Sequence, residues 1–307
     1  MASDRFALVV HPRRDVSAVV ASVVRWAQRH GAEVLVNSAD AHRVGAGVRA
    51  VEADELARTC DAVVSVGGDG TMLGALRLVA DRPVPVLGVH LGRLGFLVEV
   101  QPSDLDVALD RIAGGDFVLE SHSALRVGVG EETLIAFNDL ALVRQPGRGS
   151  LAAAMAVNDV RYGYFRCDAL VVATAAGSSA YSYAAGGPLL SPSVRGIVVT
   201  PSAAMSGISR SLVLSEDDRL RLELLAEAGE LAVEIDGNPH RDARPGDTLD
   251  VSVQPDAGLV VRLDPEVHAR RSRVKLSLLD LPLLPEQLRE LLPEDMRGRL
   301  DAVRTGD

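Results

Sequence analysis

Three glycines enclose one carboxylate in Gly67-Gly68-Asp69-Gly70-Thr71. Glycine tolerates left-handed backbone and lets backbone N–H groups approach a bulky anion. A helix starting just behind such a loop favours negative charge at its N-terminus. The backbone therefore suits phosphate, whereas Asp69 would repel it. A carboxylate in that position makes chemical sense if it takes a proton from a hydroxyl that attacks the phosphate, or if it helps to hold Mg²⁺. The competing reading is a tight strand–helix turn in which Asp69 is only a cap.

Three further places carry polar chemistry at probable strand ends. Asn138-Asp139 follows the apolar run Leu134–Phe137. Asp168 precedes Leu170–Ala173, which leads into Thr174-Ala175-Ala176-Gly177-Ser178-Ser179-Ala180-Tyr181. Asp236-Gly237 follows Leu231–Ile235. Taken singly, each pair reads as a turn, because Asn, Asp and Gly are turn residues. Asp168 is less turn-like, since apolar residues follow it at once. His90 also follows a strand but has no named partner, so it reads as structural or as merely lining the pocket. Trp26 reads as a packing residue of its helix.

The elements that must position these residues show in the apolar periodicity. Phe6–Val10, Glu33–Val36, Ala62–Val66 and Pro85–Val89 read as strands. Val16 to His30, stopped by Gly31, and Val51 to Thr59 read as helices, as does Met72 to Val79 directly behind the glycine loop. Ser103 is placed to cap a helix from Asp104 to Ala113. This alternation predicts a parallel sheet covered by helices. Ligands bind such sheets at the carboxyl ends of the strands. The Asp69 loop and a second glycine loop, Leu91-Gly92-Arg93-Leu94-Gly95-Phe96-Leu97, both fall there.

From Phe117 to about Asp264 the pattern changes to many short β-type runs separated by Gly, Asp, Asn and Pro. It predicts an antiparallel, sandwich-like second domain with one short helix opening near Ser178. The expected division is an α/β domain over 1–116, a β-rich domain over 117–264 and a tail over 265–307. The tail carries the basic run His268 to Lys275. It also carries an amphipathic stretch from Pro285 to Val303, expected to dock on the first domain or on a neighbouring subunit.

The 307 residues are 47% hydrophobic, enough for a substantial core. A formal net charge of −10 argues against a nucleic-acid binder, although an acidic protein can still hold a locally positive nucleotide pocket. Cys60 and Cys167 give neither a disulfide framework nor zinc spacing. No apolar run is long enough to span a bilayer, and Met1-Ala-Ser-Asp-Arg lacks a signal-peptide pattern. A cytoplasmic protein without membrane or nucleic-acid partners is the expectation.

In order and content these motifs resemble the NAD kinase family. The resemblance rests on Gly67-Gly68-Asp69-Gly70-Thr71, the Gly88–Leu97 stretch, Asn138-Asp139, Asp168 with Gly177–Tyr181 and Ala185-Gly186-Gly187-Pro188, and Asp236-Gly237. It runs from about Leu8 to about Leu279. The first motif is shared with diacylglycerol and sphingosine kinases and is similar to that of phosphofructokinases. The downstream blocks narrow the choice. The resemblance implies a two-domain fold with a cleft between the domains. It also implies ATP-dependent phosphorylation of the adenosine-ribose 2′-hydroxyl of NAD, with Mg²⁺ carried on the donor.

Asp69 would be the base. Gly67, Gly68, Gly70 and Thr71 would shape the donor loop, and Phe96 would pack near the adenine. Asn138 and Asp139 would hold the nucleotide, Asp168, Ser179, Ala180 and Tyr181 would line its pocket, and Asp236 would lie near the reacting ribose. Subunits would form homodimers or homotetramers. The chain departs from the family pattern at Cys167-Asp168-Ala169 (usually Gly-Asp-Gly) and at Ala175-Ala176 (usually Pro-Thr). Asp139 stands where Glu is usual, and the Pro-His pair usual after Thr200-Pro201 is absent. The alternatives are a relative that phosphorylates a different nucleoside or nucleotide hydroxyl, and a non-catalytic nucleotide-binding sensor.

Overall fold

The computed structural model of the chain describes residues 5–92 and 95–269. Residues up to Leu263 cluster as one compact unit. Five strands of its N-terminal half, β1 (Arg5–Val10), β2 (Glu33–Asn37), β3 (Arg49–Val51), β4 (Ala62–Gly67) and β5 (Pro85–His90), lie parallel in the order β5-β4-β1-β2-β3. The helices of this half are α1 (Ser17–His30), α2 (Ala41–Val44), α3 (Ala53–Thr59), α4 (Asp69–Leu78) and α5 (Leu105–Gly114).

The strand period of two sends alternate side chains to opposite faces. Phe6, Leu8, Val64 and Val66 pack with Val19, Val23 and Trp26 of α1 and with Leu105 and Leu109 of α5. Ala7, Leu35 and Val63 pack with Leu56 of α3 and with Met72 and Leu76 of α4. Helices on both faces bury β4 fully and the middles of β1, β2 and β5, which is why these strands read as continuous apolar runs. Trp26 packs edge-on to Phe6 at 5.3 Å and donates to Asp110 Oδ1 at 2.6 Å, a structural role.

The C-terminal half contains β6 (Val118–Val129), β7 (Glu132–Ala136), β8 (Asp139–Arg144), β9 (Leu151–Val157), β10 (Val160–Cys167), β11 (Ala169–Thr174) and the short helix α6 (Tyr181–Ala184). It continues with β12 (Gly196–Ser202), β13 (Ser206–Gly207), β14 (Leu212–Ser215), β15 (Leu220–Leu224), β16 (Leu231–Ile235), β17 (Asn238–Ala243) and β18 (Thr248–Arg262). One antiparallel sheet has the order β14-β12-β11-β8-β16-β17. Its inward residues Leu140, Leu142, Leu170, Val172 and Val233 meet Leu125, Val127, Met155, Leu222 and Val251 of the facing sheet. This is the expected sandwich core.

The facing sheet does not stop at the second half. The first part of β18 pairs antiparallel with β15, and its last part pairs parallel with β5 through Leu259↔Pro85 and Val260↔Val86. Parallel and antiparallel regions thereby join in one 12-stranded sheet.

The local readings need four corrections. Helix α4 begins at Asp69 rather than Met72, with Met72 N–H bonded to Gly68 O at 3.0 Å, so Asp69 stands in the first helical turn. Ser103 is not a cap. A short 3₁₀ turn over Pro102–Asp104 precedes α5, and the Ser103 hydroxyl bonds Asp104 Oδ1 instead. The helix expected from Ser178 is a 3₁₀ turn over Ala176–Ser179 followed by the single turn of α6. Strand β3, three residues long, carries no periodic signal and was not expected. Among the described residues no helix is long and apolar enough to cross a membrane. The expectations for the tail beyond residue 269 lie outside the described residues.

Candidate active site

Asp69 sits where β4 ends, and residues 95–97 of the second glycine loop lie against its carboxylate. Oδ2 accepts the Phe96 N–H at 2.7 Å and Oδ1 accepts the Leu97 N–H at 3.0 Å. Gly95 makes the approach possible, since a Cβ there would fall 1.9 Å from Asp69 Oδ1. Each carboxylate oxygen has two acceptor lobes, so one bond apiece leaves capacity for a hydroxyl proton. The expected reason for glycine in the first loop needs revision. None of Gly67, Gly68 and Gly70 has positive φ. Gly67 is needed because a Cβ would lie 2.1 Å from Thr71 Oγ1, while Gly68 and Gly70 face open space. His90 Nδ1 lies 2.9 Å from Gly92 O, a contact within the loop.

A second group forms at the carboxyl end of β11 and the start of β8. The Thr174 hydroxyl donates to Phe137 O at 2.7 Å and accepts the Gly177 N–H at 2.9 Å, and Thr174 N–H donates to Asn138 O at 2.9 Å. These bonds press the two turns together. A Cβ on Gly177 would lie 2.0 Å from Asn138 O, so only glycine fits. Ala180 N–H donates to Gly177 O, and Ser179 Oγ to Ala176 O, which fixes the approach to Tyr181. Asn138, Ser179, Ala180 and Tyr181 are half-buried, and Asp139 is buried.

Asp236 belongs to this group through the backbone it holds. Its side chain has no exposed surface. It accepts the backbone N–H groups of Phe137, Asn138 and Asp139 and pairs with Arg77 on the last turn of α4. It therefore builds the Asn138–Asp139 turn and ties it to the helix that begins with Asp69.

The Asp139 carboxyl is pushed up to about 7 by burial first and then by the charges of Asp236 and Glu234, while the Tyr181 N–H it accepts works the other way. The unfolded chain would lose this proton near the ordinary value of 3.8. Between those values the folded protein keeps a proton that the unfolded chain has released, so stability falls as pH rises through this window. The destabilisation is complete about one unit above the folded-state value of about 7. Asp139→Asn is therefore expected to melt above the parent protein at pH 8, with the advantage vanishing near pH 4 (about the unperturbed carboxylate value). Thermal melts across that range check it. Around neutrality the protonated carboxyl can donate to a sugar hydroxyl and the ionised form can accept from one.

Asp168 is not brought to this group within one chain. It stands at the opposite end of β11 from Thr174, roughly 16–20 Å away at strand rise, and pairs with Arg144 at 2.6 Å. Sequence proximity to Tyr181 concealed this, because a strand separates them.

Cations beside the Asp69 loop were missed. The turn after β1 carries no periodic signal, yet β1 neighbours β4. Arg14 Nη1 donates to Leu91 O at 2.9 Å, and Leu91 N–H donates to Gly67 O at 3.1 Å. Arg43 donates to the carbonyls of His11 and Arg14. His11 is held below its ordinary value by burial first and then by the nearby charges of Arg14, Arg13 and Arg43. The signal available in the sequence was Arg13-Arg14 at a strand's carboxyl end.

Among the described residues no three His, Cys, Asp or Glu side chains gather to hold a metal. A cavity of about 490 Å³ lies beside the Thr174 turn, lined by Thr174, Ala175, Ala176, Glu120, His122 and Arg195 among others. Asp69 does not line it, and the two alanines, small where the resemblance expects Pro-Thr, face into it.

The family model described as the ATP-NAD kinase N-terminal domain matches residues 6–117, and the ATP-NAD kinase C-terminal domain matches 137–263. The NAD kinase of Caldanaerobacter subterraneus subsp. tengcongensis is 36% identical over 224 residues, 71% of this chain and 79% of that protein. The NAD kinase of Symbiobacterium thermophilum is 32% identical over 265 residues, 84% of this chain and 94% of that protein. A yeast NADH kinase solved with NADH superposes with a TM-score of 0.77 at 22% identity, covering 93% of this chain and 90% of its own. An NAD kinase from Archaeoglobus fulgidus solved with ATP gives 0.67 at 24%, covering 89% and 98%. At those identities the structures speak for the fold; the two family models and the closer relatives speak for descent, and the chain belongs to the ATP-NAD kinase family.

Proposed function

We propose that Asp69 is the general base in the phosphorylation of NAD to NADP, the reaction that family membership assigns to this chain. The observation that carries the assignment is its carboxylate, fixed by two backbone N–H groups at the carboxyl end of β4 with acceptor capacity to spare. A ribose hydroxyl is a poor nucleophile at neutral pH, so a placed carboxylate that takes its proton as it attacks lowers the barrier. ATP is the donor, and Mg²⁺ carried on its phosphates would neutralise developing charge. The open space at Gly68 and Gly70 and the charges of Arg13, Arg14 and Arg43 favour the triphosphate on that side.

Asn138, Asp139, Ser179, Ala180 and Tyr181 hold the acceptor nucleotide, with Phe96 against the adenine. Asp236 shapes their turn. We read residues 1–116 and 117–264 as the two walls of the cleft. The remoteness of Asp168 supports a homodimer or homotetramer in which a neighbouring subunit supplies it. A cytoplasmic setting suits Cys60 and Cys167, both buried and unbridged.

The test is direct. Protein incubated with ATP, Mg²⁺ and NAD is expected to form NADP, read by an NADP-specific dehydrogenase. Phosphorylation of adenosine or AMP in place of NAD would move the acceptor to another nucleoside class.

A further inference from the structure

The second glycine loop is clamped from behind by an arginine that the reaction itself does not call for. Arg262, the last residue of β18, is 2% exposed. Its Nε bonds Glu120 Oε2 at 2.6 Å, and its Nη1 lies 3.8 Å from Glu99 Oε2. The two remaining arms of the fork point at the loop: Nη1 donates to Leu97 O at 3.0 Å and Nη2 to Phe96 O at 3.5 Å. The Phe96 carbonyl and the Leu97 N–H belong to one peptide plane. That plane is thus held at its oxygen by Arg262 and at its hydrogen by Asp69 Oδ1.

We propose that Arg262 is a positioning residue for Asp69, acting through the Phe96–Leu97 peptide, with Glu120 fixing the guanidinium. The proposal rests on Asp69 being the base. A buried ion pair is weak support for stability, since apolar residues of similar volume do as well or better. A planar fork that meets a carboxylate on one side and two carbonyls on the other supplies direction instead. Its charge also polarises the peptide whose N–H faces the base.

Arg262→Lys keeps the charge and loses the fork; Glu120→Gln keeps the fork and loosens its anchor. Arg262→Lys is expected to lower kcat about 10²-fold, the cost of misplacing a reacting group by about 1 Å, with KM for NAD and for ATP changed less than about threefold. Glu120→Gln is expected to act in the same direction with a smaller loss, and it tests the idea if Arg262→Lys folds poorly. In an Asp69→Asn background, Arg262→Lys is expected to change the residual rate by less than about twofold, because residues that act as a unit are not additive. An undiminished kcat in both variants, or the full loss repeated in the Asp69→Asn background, would overturn the proposal. Hydrogen exchange of the peptide carrying Phe96 and Leu97, read on resting protein without nucleotide, is independent of the acceptor. Raised exchange in Arg262→Lys sustains the clamp and unchanged exchange overturns it, whether or not NAD proves to be the substrate.

Discussion

Asp69→Asn is expected to lose about 10²–10⁴ of kcat, the usual worth of a placed general base, while NAD and ATP still bind. Steady-state rates alongside calorimetric titration of both nucleotides check this. The substitution is not perfectly isosteric in its bonding. Asp69 accepts two N–H groups, one at each oxygen. An asparagine offers one oxygen and one NH₂, so either Phe96 or Leu97 loses its acceptor. That leaves a partly buried donor unsatisfied, at a cost of about 1–3 kcal/mol in stability. The two roles of Asp69 therefore separate by readout. If it only secures the loop, the variant melts lower and turns over within about tenfold of the parent. If it is the base, turnover collapses further than the lost loop contact explains. Asp69→Ala, which removes both contacts, is expected to add instability without adding comparably to the loss of rate.

The chain shows its site unevenly in its sequence, and the reason is sequence distance. The β4–loop–α4 unit is local: an apolar run, a glycine cluster and a helix-period run lie next to one another, so Asp69 could be found by reading along the chain. The turns at Asn138-Asp139, at Gly177 to Tyr181 and at Asp236-Gly237 carry local signals too, although those signals only say that the backbone reverses. What holds the turns in place is not local. Arg77 and Asp236 are 159 residues apart, and Arg262 is 165 residues from Leu97. No periodicity connects such pairs. β18 was concealed differently. Gln254-Pro255-Asp256-Ala257 looks like a loop between two strands, yet it is an irregularity inside one strand, with Asp256 at φ 51° and the pairing to β6 shifted between Gln254 and Gly258. That interruption lets a single strand serve an antiparallel sheet at one end and a parallel sheet at the other, which is how the two halves come to share a sheet. Asp168 misled for a geometric reason: its neighbours in sequence run away from it along β11.

Asp236→Ala is expected to cost about 3–5 kcal/mol, the penalty of breaking a buried charge pair from one side, and to lower the melting temperature by roughly 10 °C in a unit of this size. Three effects point the same way. The three N–H groups of Phe137, Asn138 and Asp139, bonded at 3.3, 2.6 and 3.2 Å, lose their common acceptor. Arg77 loses its partner. The backbone suffers as well: Asp236 and Gly237 have φ of 49° and 73° in the two-residue turn between β16 and β17, and alanine tolerates that region poorly whereas Asp and Asn do not resist it. Asp236→Asn separates these causes. It keeps the turn preference and one acceptor oxygen, so it is expected to be less damaging than alanine while still leaving Arg77 unpaired. Adding Arg77→Met to Asp236→Asn is then expected to restore part of the stability, because the uncompensated cation is gone. Denaturant melts of the parent, Asp236→Asn, Arg77→Met and the double variant measure the coupling. The same variants should raise KM for NAD more than they lower kcat, since the turn that would grip the nucleotide loosens while Asp69 keeps its own two N–H partners. A fall in kcat with KM unchanged would instead mean that Asp236 acts on the chemistry through α4, whose first residue is the proposed base and whose last turn is the one Asp236 holds.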